Sequence, residues 1–135
     1  VRAARPLLFA LVAVTAAAAH AQAPCPAPAD VQPLDLVGLW RAEFEGGGGA
    51  TLLLEPHREY AQSLSGEVNR NGERARVAAD LDDGAFTLEE SVDGQRIAAT
   101  WQGDLVADSC GREIRGTRSG GWDRSLPFVL RRLGR

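Results

Sequence analysis

Between Gly46 and Gly111 the chain is broken repeatedly by turn signals, at roughly the 8–12-residue spacing that marks an all-β sandwich or barrel. They are Gly46-Gly47-Gly48-Gly49, residues 55–59 around Pro56, Asn69-Arg70-Asn71-Gly72, Asp82-Asp83-Gly84, Asp93-Gly94 and residues 108–111. Asn-Gly and Asp-Gly tolerate positive φ and suit tight hairpins. The runs between them alternate apolar and polar at the strand period, and none keeps the helical period over a useful length. The first run, Val37-Gly38-Leu39-Trp40-Arg41-Ala42-Glu43-Phe44, puts Trp40, Ala42 and Phe44 on one face and Arg41, Glu43 and Glu45 on the other.

Seven more strands are expected at residues 50–54, 60–68, 73–81, 85–92, 95–106, 112–117 and 126–133. On the sixth, Ile97, Ala99, Trp101 and Leu105 align. Residues 118–126 read as the longest late connection. Short sequential hairpins favour an up-and-down meander, and closing it removes exposed edges. The expected fold is therefore all-β, an eight-stranded antiparallel up-and-down barrel spanning 36–135, with a two-sheet sandwich as the alternative.

Ahead of it lie two segments of different character. Arg2 and Arg5 precede an apolar run at 7–19, and Ala19-His20-Ala21 then supplies small residues, the layout of a secretory signal peptide cleaved after Ala21. The run is too short to span a bilayer comfortably. Export to the periplasm or the medium is expected. Val1 in first position reads as a non-standard start codon, and the use of Arg for every basic residue fits a GC-rich bacterial genome. Residues 22–35 hold Pro24, Pro26, Pro28 and Pro33 and read as an extended tail.

Removing residues 1–21 leaves about 114, enough for one domain with a modest core. It also takes the net charge from −3 to about −5, a poor match for nucleic acid, whose phosphates need a basic surface. The two cysteines, Cys25 and Cys110, read in an exported chain as a disulfide. A meander supports the pairing. Its turns alternate between two ends, and the tail enters at the end that carries residues 108–111.

Gly38-Leu39-Trp40 together with an Arg on the last strand resembles the signature of the calycin barrels: lipocalins, fatty-acid-binding proteins and avidins. The resemblance implies that Trp40 sits at the closed end and that an Arg packs across it, Arg132 before Arg131. Size, strand count and Ala99-Thr100-Trp101-Gln102-Gly103 look most like the avidin branch. The avidin set of biotin-binding residues has no matching placement, so no biotin site is carried over. Small periplasmic protease and lysozyme inhibitors are a second analogy, being disulfide-tied β-barrels too.

Catalytic and metal signatures are not recognised, and no cofactor is expected. His57 reads as a turn residue, and Asp80, Asp82 and Asp83 as a hairpin turn rather than a Ca²⁺ loop. Glu89 and Glu90 are adjacent on a strand, face opposite sides and cannot work as a carboxylate pair. The expected function is a non-catalytic binding protein taking a small apolar ligand. The alternatives are a protein-binding inhibitor that works through its loops, and a hydrolase or isomerase at the barrel mouth. The site is expected at the end away from the disulfide. There Trp122 would be a stacking surface, Arg118 and Arg124 anion contacts, and Phe44 and Trp101 a deeper wall.

Overall fold

The alternation in each run becomes a strand with one face turned inward. In the computed structural model, which describes residues 2–18, 24–121 and 123–134 apart from the side chains of Asp123 and Arg124, eight strands follow in order. They are β1 (Gly38–Phe44), β2 (Gly49–Pro56), β3 (Leu64–Arg70), β4 (Glu73–Asp82), β5 (Ala85–Ser91), β6 (Ala99–Leu105), β7 (Glu113–Gly120) and β8 (Asp123–Arg132). Each pairs antiparallel with the next, and β1 pairs with β8 through Trp40↔Arg132, Ala42↔Leu130 and Phe44↔Phe128, so the barrel is closed. The proposed cleavage point lies outside the described residues. Residues 2–18 are exposed and carry no regular secondary structure. Among the described residues no helix is long and apolar enough to cross a membrane.

Inward positions build one continuous core, from Trp40 and Leu52 through Leu64, Phe86 and Leu88 to Trp101, Ile114 and Leu130, all essentially without solvent contact. Burying each such side chain is worth about 1.5–3 kcal/mol. At the disulfide end the tail closes the barrel. It runs through two short 3-10 turns, Pro28–Asp30 and Pro33–Leu36, and buries Val31, Pro33 and Leu36. Cys25 and Cys110 are bonded, with Cα atoms 4.6 Å apart.

The closed end shows why the first strand begins Gly-Leu-Trp. Trp40 donates its indole N–H to the Leu36 carbonyl at 2.9 Å. The Arg132 guanidinium stands 6.0 Å from the Trp40 ring centroid and donates to the Asp35 and Val37 carbonyls. Gly38 adopts φ +140°, and a Cβ there would come within 3.1 Å of Arg132 Nη2. The backbone conformation calls for glycine, and any Cβ would press on the Arg132 guanidinium.

Three regions differ from the sequence expectation by three residues or more, each for a local reason. The third strand starts at Leu64, not at residue 60. His57 Nδ1 accepts from the Glu59 and Tyr60 amides, and Gln62 takes φ +67°, so residues 57–63 form a turn. The sixth strand starts at Ala99, not at residue 95. Asp93 Oδ1 accepts from the Gln95 and Arg96 amides and the Ser91 hydroxyl. Those amides are lost to the sheet, and Ile97 lies exposed rather than aligned with Trp101. Finally, 118–126 is not a long connection. Strands β7 and β8 continue until Gly120 faces Asp123, with a register irregularity between Arg118 and Gly120. Arg118 is thus a strand residue, and Arg124 belongs to β8.

Candidate open-end site

The end opposite the disulfide has a charged floor built by three neighbouring strands. On β5 the inward series Phe86, Leu88 ends in Glu90. On β6, Trp101 lies beside Leu88 and opposite Arg118 of β7. The inward series of β7 is Ile114, Gly116, Arg118. Glu90 and Arg118 are 5% and 6% exposed. A carboxylate buried to this degree is costly unless paired and hydrogen-bonded, and it is both. Arg118 Nε and Nη2 donate to Glu90 Oε1 and Oε2 at 3.0 and 2.9 Å. Trp101 Nε1 donates to Oε1 at 2.7 Å. Burial alone would raise the Glu90 pKa. The hydrogen bonds from Arg118 and Trp101, then the charges of Arg118 and Arg70, hold it below its ordinary value.

Aromatic packing fixes this floor from below. The Trp101 ring lies 5.5 Å from Phe44 and 4.9 Å from Phe128, both tilted, a geometry that ring quadrupoles favour. Arg70 caps the group with its guanidinium 5.8 Å above the Phe44 ring. Above the floor opens a cleft of about 430 Å³. It is lined by Arg70, Arg74 and Ala75 on one side, Glu90 and Arg118 at its base, and Val92, Ala98, Gly120 and Gly121 on the other. That volume falls within the usual range of small-molecule sites.

The expected wall and anion residues are therefore brought together in part. Phe44, Trp101 and Arg118 converge at this end of the barrel. Trp122 lies outside the described residues, as does the side chain of Arg124. Glu89 is exposed where Glu90 is buried, so the two face opposite sides as the strand period requires. Sequence reasoning missed Glu90 itself, which its alternation with Phe86 and Leu88 could have placed inside.

A larger hollow of about 640 Å³ lies on the outside of the barrel, between the Gly46–Gly48 turn and the Asn71-Gly72 turn. Outward residues Arg41, Thr51 and Asn69 line it, in cross-strand register. No buried polar group converges on it among the described residues. His57 lies at the disulfide end, where its Nδ1 already accepts two backbone amides.

No family model, curated protein or solved structure matches the chain.

Proposed function

We propose that this is an exported, non-catalytic, calycin-like binding protein that takes a small, apolar-bodied ligand in the open mouth of its barrel. The observation that carries this reading is the pairing of a cleft of about 430 Å³ with an ordered, buried polar floor. Small-ligand sites combine concavity with a few convergent polar groups. Below Trp101 the interior is packed with core side chains, so the ligand belongs in the mouth. Its body would rest on Ala75, Val92 and Ala98. A binding role is also favoured by the state of the titratable groups. Glu90 has both oxygens engaged by donors, which leaves it a poor proton carrier.

The test is amide chemical-shift mapping on ¹⁵N-labelled protein against a panel of small aromatic and aliphatic compounds with varied head groups. Saturable shifts at Ala75, Val92, Ala98 and Gly120 are expected. Shifts clustered elsewhere, or none, would refute the mouth as the site. Trp122→Ala in the same titration tests the stacking role expected from the sequence. For the export step, sequencing the N-terminus of protein recovered outside the cytoplasm should give Gln22. A retained 2–21 segment would overturn it.

One observation favours the inhibitor alternative. Between β5 and β6 the chain exposes Val92 and Ile97, 76% and 60% accessible, on a loop that the Asp93 side chain holds in shape. A preformed loop that presents apolar side chains loses little entropy on docking to a protein. Shifts confined to 92–98, produced only by a protein partner, would favour this reading over the first.

A further inference from the structure

We propose that the mouth selects an organic anion, with a carboxylate or similar oxyanion docking on the edge of Arg118 that Glu90 leaves open. This rests on the mouth being the binding site and adds the chemical class of its ligand.

Arginine has five N–H groups in a planar fork. Glu90 takes one from Nε and one from Nη2. The remaining three are the two of Nη1 and the second of Nη2, along the end of the fork. Among the described residues Nη1 has no hydrogen-bond partner, while no side-chain nitrogen or oxygen sealed from solvent lacks one. The Nη1 side therefore opens to the cleft that Arg118 lines. A fork edge of this kind matches a planar oxyanion with two acceptors.

The surroundings favour the same sign. Among the described residues, three guanidiniums, from Arg70, Arg74 and Arg118, border the cleft against two carboxylates, from Glu73 and Glu90, one positive charge in excess in a chain of net charge −3. Arg74 is partly committed to Glu67, 3.5 Å away. Arg118 cannot swing away to meet an anion, because Glu90 holds it side-on and Trp101 holds Glu90. Glu90 is thus a positioning residue. It fixes the fork and spends some of its charge, so the site should prefer a single small anion on an apolar body to a naked multivalent one.

Titrating ¹⁵N-labelled protein at constant ionic strength with benzoate, with benzyl alcohol and with inorganic phosphate tests this. The Trp101 indole N–H resonance and the mouth amides are the readouts. Benzoate should bind about ten-fold or more tightly than benzyl alcohol, the gain expected of charged hydrogen bonds, and more tightly than phosphate. Arg70→Ala should weaken benzoate and leave benzyl alcohol nearly unchanged. Glu90→Gln, which removes the competing charge, should raise the preference for benzoate over the alcohol. A structural role alone would not move that ratio.

Equal binding of benzoate and benzyl alcohol at the mouth would overturn the anion proposal and leave the mouth reading standing. Phosphate binding as well as benzoate would overturn the organic part. A benzoate preference that Glu90→Gln and Arg70→Ala leave unchanged would overturn the role of Arg118. No shift at the mouth with any probe would refute both this proposal and the site on which it rests.

Discussion

Glu90 and Arg118 meet across an intervening strand. Glu90 sits on β5, Arg118 on β7, and Trp101 of β6 donates to the same carboxylate that Arg118 grips. Three neighbouring strands are thus tied by one carboxylate near the open rim, where the tail gives no cover. The closed end is held in a parallel way, by Arg132 over Trp40 with tail carbonyls as acceptors. At both ends an arginine and a tryptophan donate to oxygens, carboxylate at the open end and carbonyl at the closed one.

Arg118→Ala should be costly. It leaves the Glu90 carboxylate buried with only the Trp101 donor. Breaking one partner from a buried pair typically destabilises by about 3–5 kcal/mol. The double variant Glu90→Leu/Arg118→Met should recover part of that loss, because apolar replacements of similar volume need no partner, while the Trp101 indole N–H loses its acceptor. Urea unfolding of wild type, Glu90→Leu, Arg118→Met and the double variant measures the coupling directly. A single-variant cost under about 1 kcal/mol would mean that the pair behaves as a surface contact.

The same pair sets an acid limit. The folded Glu90 carboxyl lies below its ordinary value of 4.5. A depressed carboxyl contributes stability that is complete above the unfolded value and is lost as pH falls through the folded one. Wild type should therefore lose thermal stability more steeply than Glu90→Gln as pH drops from about 5 to 3. Parallel melting profiles over that window would show that Glu90 does not carry the acid sensitivity.

Much of this architecture can be read in the chain before any coordinates, and the places that cannot have a common cause. Strand count, closure and the disulfide follow from periodicity, turn chemistry and the parity of a meander, whereas the Trp40–Arg132 contact is expected only from the resemblance that Gly38-Leu39-Trp40 carries. The late starts of β3 and β6 do not, because single side chains decide them. His57 and Asp93 capture backbone amides that propensity alone would assign to the ladder. Residues 118–126 read as a connection, and this hid the inward register of Arg118. Glu90 stood in plain alternation after Phe86 and Leu88, yet a lone inward carboxylate makes sense only when its partner two strands away is also placed inside.

Gly38 and Arg132 predict a second set of effects, at the closed end. Gly38→Ala must hold φ near +140° and press its methyl toward Arg132, so it should cost more than about 1 kcal/mol. Arg132→Ala removes the cation over Trp40 and two donors to tail carbonyls, together about 1–3 kcal/mol. Arg132→Lys should restore only part of this, since an ammonium lacks the planar fork that reaches both carbonyls. Denaturant midpoints at matched slope would check the order Lys above Ala. Near-identical midpoints for all three would make the Trp40 contact incidental to stability.

Removing the disulfide should separate two contributions that the closed end combines. Cys25 and Cys110 stand 85 residues apart in sequence, and constraining a loop of that length is worth about 4–5 kcal/mol in the chain-entropy model. The tail also has contacts that survive without the bond: buried Val31, Pro33 and Leu36, and the Trp40 indole donating to Leu36. A Cys25→Ala/Cys110→Ala protein should therefore keep the barrel's far-ultraviolet signature and its tail contacts, yet unfold at markedly lower denaturant. Hydrogen exchange sharpens the expectation. Amides beside Cys25 and Cys110 should lose protection first, those at Asp35 and Val37 next, and those of Leu52, Leu88 and Ile114 only with global unfolding. If Val37 exchanges as fast as an unstructured amide once the bond is gone, the tail was held by the disulfide alone and its apolar contacts add little. If the midpoint hardly moves, the unfolded chain already keeps tail and turn together, and the bond constrains a state that was never free.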